Sequence, residues 1–212
     1  MTIWVLEDPR AGTAAQALGI AERLGAPFVR LPMRFGPLAA LPWPWPTLAG
    51  LADRTAFMPP WPTLVISAGR RSAPVARWLR RRGARTVHAM RPGMGADDFD
   101  LLVIGAHDRV PPAANVLTIQ GAAHRLTAEA IAAAARVSRL GALPRPITGL
   151  LLGGPVRDTG MEPAVAARIA GQAAAMGGSV LATTSRRTGA AAADAVALAL
   201  AGMPHQIGRA HV

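Results

Sequence analysis

The sequence predicts an α/β protein built from two Rossmann-like parallel-sheet units, the second incomplete, and three observations carry that expectation. Short apolar runs alternate with Ala-rich helical patterns along the whole chain, as they do in βαβ units. Several of the runs, such as LLVIG at 101–105 and LLLGG at 150–154, are wholly apolar, which is how strands buried on both faces of a parallel sheet read. The alternation pauses at GALPRPITG, 141–149, where two prolines separate a helical pattern from a new strand, and then restarts. The expected division is therefore a first unit over 1–140, a linker at 141–148 and the first part of a second unit over 149–206.

In order, residues 3–6 read as a strand, 13–24 as a helix and 27–31 as a second strand. The segment 32–62 holds LPWPWP at 41–46, whose prolines exclude a helix interior or a central strand, so it reads as a long loop. Its tryptophans, with Trp61, are expected to fold back over the core as a lid; stacking on an acceptor sugar or anchoring a partner is the other role open to them. Residues 63–67 form a strand and 73–82 a helix, followed by strands at 86–89, 101–105 and 116–119 and a helix at 128–140. The second unit reads as strand 149–152, helix 162–176, strand 179–183 and helix 190–201. Ligands of such folds sit beyond the carboxyl ends of the strands.

Composition narrows the function classes. The 212 residues are 51% apolar, enough for a buried core, and the net charge is +11. All 23 basic residues are Arg, a bias that accompanies the abundance of Ala, Gly and Pro and weakens the case for nucleic-acid binding. The Arg80–Arg81–Arg82 run ends a predicted helix without interleaved aromatics and reads as a solvated face. The absence of Cys removes disulfide and thiolate chemistry and suits a reducing compartment. The start of the chain lacks the basic and apolar regions of a secretory signal, and no apolar run is long enough to span a bilayer, so a cytoplasmic location is expected. The five His are scattered without ligand spacing, so no metal site is expected; Asp97, Asp98 and Asp100 mark a turn.

Two stretches share one design: ISAGRRSAP at 66–74 and TTSRRTGAA at 183–191 each pass from a strand through paired arginines and a hydroxyl residue into a helix. At such a junction backbone N–H groups, the positive end of the helix dipole and a guanidinium converge on one place, which favours an anion. Arg70, Arg71, Arg186 and Arg187 are therefore candidate phosphate or carboxylate ligands, and Ser72 and Thr188 either cap the helices or donate to the same anion. The other reading of each pair is one surface Arg and one Arg held in a structural ion pair. Gly153 and Gly154 follow a strand and permit close approach to a diphosphate, without completing a dinucleotide fingerprint. His107 and Asp108 follow LLVIG at the ligand-facing edge and are the candidate catalytic pair, Asp108 orienting His107 or acting as base. His124 holds a similar place.

The joint occurrence of WVLEDPRAGTAAQALGIAERLG, LVISAGRRSAPVA, FDLLVIGAHD, NVLTIQGAAH, LLLGGP and GGSVLATTSRRT resembles the elongated-mitochondria fission family, the plant fission proteins and their bacterial relatives. The resemblance implies a GT-B-type arrangement like that of glycosyltransferases and sugar-nucleotide epimerases, with a UDP- or other NDP-sugar as ligand and no required cofactor. It implies that Gly153, Gly154, Ser185, Arg186, Arg187 and Thr188 face the donor diphosphate and Gly12, Arg70, Arg71 and Ser72 the opposite wall. It equally implies a non-catalytic alternative, a scaffold that recruits a protein partner. The family continues well past its TSRRT block, so the chain is expected to be a fragment, inactive as it stands, with 207–212 a non-native tail.

Overall fold

A computed structural model describes residues 1–137, 139–154, 161–185 and 187–209 of the chain. The chain divides into two compact units, Met1–Thr127 and Ala128–Val212. The helix expected at the end of the first unit thus falls in the second, and its residues 128–136 are exposed.

In the first unit, β1 (Ile3–Glu7), β2 (Phe28–Pro32), β3 (Leu64–Ala68), β4 (Arg85–Ala89), β5 (Leu101–Gly105) and β6 (Val116–Ile119) form one sheet. All its pairings are parallel and its order is β2-β1-β3-β4-β5-β6. Strand β1 shows why the sequence builds this layer. Its side chains alternate with the period of two that a pleat imposes: Ile3 and Val5 pack with Ala14, Ala17, Leu18 and Ala21 of helix α1 (Ala11–Arg23). Trp4 and Leu6 join the opposite core with Ala73, Val75, Ala76 and Leu79 of helix α2 (Ala73–Arg80). Small residues on α1 let it lie close to the sheet; a side chain at Gly19 would run into the backbone of His124.

The long connection from β2 to β3 is not a simple lid. Met33, Leu51 and Phe57 bury themselves in the α2-side core, and Trp61 meets Trp4 and Trp78 edge to face with centroids 6.4 and 5.4 Å apart. Trp43 and Trp45 instead meet each other edge to face at 5.8 Å, and Trp45 is 56% exposed. The lid expectation therefore holds for Trp61 and is corrected for Trp43 and Trp45, which the prolines around them keep off the core. The arginine run ending α2 is likewise less bare than its sequence: the fold slides Trp78 and Trp61 beneath the Arg82 guanidinium, a pair of cation–π contacts.

In the second unit, α3 (Ala128–Val137) precedes a parallel sheet of β7 (Ile147–Leu151), β8 (Ser179–Thr184) and β9 (His205–Arg209) in that order. Helices α4 (Pro163–Ala174) and α5 (Ala190–Leu200) bury Ala166, Ala170, Ala173, Ala192, Val196 and Leu200 against Leu150, Val180 and Ala182. One sequence expectation is corrected, and part of the expected tail takes on structure. LLLGG does not form a strand buried on both faces, because β7 is an edge strand, and Leu151 is 82% exposed. Ile207–Arg209, expected in the tail, complete β9 in register with Ala182–Thr184, and Ile207 packs against the core. The free edge of β8 explains this, since an extended segment that reaches it satisfies its unpaired N–H and C=O groups. Residues 210–212 lie outside the described residues.

Candidate functional site

The chain leaves β1 towards one edge of the six-stranded sheet to form β2, then returns on the other side of β1 to form β3 and the strands beyond. Between the carboxyl ends of β1 and β3 the connections diverge and open a crevice, the usual ligand position of an open parallel sheet. The first unit has a cavity of about 550 Å³ there. Its walls come from the residues after β1 (Asp8, Arg10, Thr13), after β3 (Gly69, Arg70, Arg71), after β4 (Met90, Arg91) and after β5 (Asp108). The Phe35–Ala40 segment, including a short 3-10 turn at Pro37–Ala40, closes another side.

Four guanidinium groups and two carboxylates share this cavity. Asp8 is only 4% exposed, and its Oδ1 accepts both the Arg71 guanidinium and the Arg10 backbone N–H, each at 2.7 Å. Arg71 lies with its guanidinium 4.4 Å from the Phe35 ring centroid, so its charge is fixed between a carboxylate and an aromatic face. Its buried Nε has no hydrogen-bond partner. Arg70 is exposed, its aliphatic stem resting on Gly93, where any side chain would displace it. Among the described residues no carboxylate pairs with Arg10, Arg70 or Arg91, although all three line the cavity. The first turns of α1 and α2 carry no acidic residue that would offset the positive ends of their dipoles. The cavity thus holds an excess of positive charge with planar, donor-rich groups at its surface.

The arginine pair divides its labour. Arg71 forms the structural ion pair, Arg70 remains available, and both line the same cavity. Ser72 is buried beneath them; it occupies the cap position of α2, yet its hydroxyl donates to the carbonyls of Ala68 (2.6 Å) and Gly69 (3.0 Å) and makes no cap bond. Its capping expectation is corrected on that ground, and the hydroxyl instead pins the β3–α2 turn. Gly12 sits exposed in the first turn of α1 with open space around it and is not part of the cavity wall. Asp108, at the end of a 3-10 turn after β5, faces the cavity, whereas His107 lies over Gly105 and is exposed. No hydrogen bond joins the two among the described residues.

Sequence reasoning missed Asp8, Arg10, Thr13, Phe35 and Arg91 as wall residues. Asp8 and Arg91 stood in plain view immediately beyond apolar strands; Phe35 is brought in by the β2–β3 connection, whose path no local pattern specifies. Also missed was His88 in β4, fully buried, with Nδ1 2.7 Å from the Ser67 hydroxyl, its ring tilted against Phe99 at 4.7 Å, and Nε2 without a partner. Burial lowers its pKa to about 3, so it is neutral at ordinary pH.

In the second unit the loops after β7 and β8 are joined. Thr188 Oγ1 accepts the Ser185 N–H (2.9 Å) and donates to the carbonyls of Leu152 and Gly153 at 3.1 and 3.0 Å. The Ser185 hydroxyl in turn accepts the Arg187 N–H at 3.2 Å. Gly154 presses against the Arg187 backbone so closely that a side chain there would collide with it, while Gly153 faces open space. Gly153, Gly154, Ser185, Arg187 and Thr188 are thus one assembly, Arg187 exposed and Thr188 buried; Arg186 lies outside the described residues. No group of His, Asp or Glu among the described residues could hold a metal ion, and no described helix is long and apolar enough to cross a membrane.

A family model described as mitochondrial fission ELM1 matches residues 11–210. An uncharacterized protein of Rickettsia prowazekii (strain Madrid E) is 29% identical over 116 residues, a match that covers 51% of this chain and 32% of that protein. The chain thus spans about a third of the length of that relative. No solved structure matches.

Proposed function

The chain belongs to the mitochondrial fission ELM1 family, and from that premise we propose that it binds phosphorylated small molecules, the first-unit cavity holding a phosphate group. The observation that carries this reading is the cavity's place at the strand-order switch, lined by Arg10, Arg70 and Arg91, which have no carboxylate partner among the described residues. Arg71 is held rigid by Asp8 and presents a fixed donor surface rather than a flexible one. Preorganised donors of this kind lose little entropy when an anion arrives.

The finer reading is glycosyltransferase-like or epimerase-like, with a UDP- or other NDP-sugar as the phosphorylated ligand; the joined loops of the second unit, with Gly153, Gly154, Ser185, Arg187 and Thr188, are a separate candidate for a diphosphate. For a sugar phosphate held in the first-unit cavity Asp108 is the candidate base, because it lines that cavity of ligand size. His107, turned over Gly105, has no comparable position.

Thermal-shift titration tests this proposal. A ligand at a hundred times its Kd raises stability by about 2.7 kcal/mol. UDP-sugars and inorganic diphosphate are expected to raise the melting temperature of the wild type, and Arg70→Ala with Arg10→Ala to abolish the diphosphate effect. A chain indifferent to every phosphorylated compound, with a protein captured in pull-down, would replace this reading with the scaffold one.

A further inference from the structure

We infer that the phosphorylated ligand of the first-unit cavity carries an apolar chain, as an isoprenyl or alkyl phosphate does, and that this chain lies along the LPWPWP segment. The inference rests on the reading that the cavity holds phosphate and names what is attached to it.

Arg70 is the hinge of the argument. Its side chain lines the arginine cavity and also a second depression of about 150 Å³ beside it. Apart from Arg70, every side chain around that depression is apolar: Leu41, Pro42 and Trp43 on one side, Pro74, Pro92 and Met94 on the other, with Gly93 beneath the Arg70 stem. A space of this size lined by apolar groups accommodates about one benzene-sized moiety. The Trp43 ring is held in place, because its Nε1 donates to the Leu38 carbonyl at 2.9 Å and the ring meets Trp45 edge to face. Outward from the depression the apolar track continues over Leu38, Leu41, Trp45 and Met94, all between 47% and 56% exposed. Large apolar side chains gathered beside a cationic cavity mark a binding surface rather than ordinary surface scatter.

Charge complementarity selects the occupant. An anionic head belongs among Arg10, Arg70 and Arg91, and what it carries across Arg70 meets the apolar side chains of Leu41, Pro42, Trp43, Pro74, Pro92 and Met94. A nucleobase would bring a polar edge to a depression whose side chains offer it only the Arg70 guanidinium, and unmatched polar edges are costly to desolvate. A hydrocarbon chain brings no polar edge of its own to desolvate.

Calorimetric titration of the 212-residue chain at one low ionic strength, with inorganic diphosphate, geranyl diphosphate and UDP as probes, decides it. Geranyl diphosphate is expected to bind at least about tenfold tighter than diphosphate, the effect of burying roughly two methylenes. Leu41→Ser and Met94→Gln, uncharged changes at exposed positions, are expected to erase that gain while leaving diphosphate affinity unchanged; Arg70→Ala is expected to weaken both. Equal affinity for diphosphate and geranyl diphosphate, or tighter binding of UDP than of geranyl diphosphate, would overturn the inference while phosphate binding stood. Failure of diphosphate itself to bind would overturn the phosphate reading and this inference together.

Discussion

Asp8 joins stability and function at a single carboxylate. It is nearly inaccessible, accepts the Arg71 guanidinium and the Arg10 amide on one oxygen, and so fixes two walls of the cavity at once. Removing one member of a buried pair leaves the other charged and poorly solvated, which costs more than the pair contributes. Asp8→Ala is expected to destabilise the chain by about 2–3 kcal/mol in urea unfolding, and Asp8→Ala with Arg71→Leu to recover part of the loss. His88 makes the second residue-scale prediction. Its folded pKa is pushed down to about 3 by burial, against about 6.5 in an unfolded chain. Its contribution is therefore complete above pH 6.5 and is lost as pH falls through 6.5 towards 3, because only the unfolded state takes up the proton. Between pH 6.5 and 5 the loss is about 2 kcal/mol, in a range where unfolded carboxylates are still ionised. The Ser67→Ala, His88→Leu double variant is expected to flatten that slope; an unchanged slope in urea unfolding at the two pH values would show that another group carries it.

Elements were legible where periodicity was strong. β1, β3 and β5 declared themselves through β-branched and apolar runs, and α1 and α2 through Ala, Leu and Val at helical spacing, because in each case burial and local propensity agree. β7 and β9 were not legible in the same way. Nothing in LLLGG says that only one neighbour will pair with it, and nothing in HQIGR signals a strand apart from the free edge of β8 that receives it. The turn chemistry was partly legible: the two arginine junctions fall at strand-to-helix turns, but the Ser72 hydroxyl bonds carbonyls at the end of its own strand and the Thr188 hydroxyl those of the loop after β7, a choice set by burial. The coupling of the two second-unit loops yields a paired prediction. Gly154→Ala is expected to cost about 1–3 kcal/mol and to loosen the 185–188 loop, because its Cβ meets the Arg187 backbone. Gly153→Ala, which meets open space, is expected to cost far less; equal melting temperatures for the two variants would deny the close approach.

At the scale of the molecule, sheet order decides where chemistry can occur. The reversal between β1 and β3 places Asp8, Arg10, Arg70 and Arg71 around one crevice although more than sixty positions separate the first from the last. Sequence reasoning placed Arg70, Arg71 and Asp108 at carboxyl ends of strands, and these three line the crevice. It could not find Arg91 or Phe35, whose membership depends on strand order and on the course of the β2–β3 connection. The net charge of +11 adds a long-range attraction for anions that salt screens. Diphosphate affinity is accordingly expected to fall several-fold between 20 and 200 mM salt, measured by calorimetry. The most direct measurement is amide chemical-shift mapping of the labelled chain during titration with inorganic diphosphate. The expected result is saturable shifts at Arg10–Thr13, Gly69–Ser72 and Arg91, absent in Arg70→Ala. Shifts scattered over exposed arginines such as Arg81 and Arg85, with the cavity amides unmoved, would contradict it.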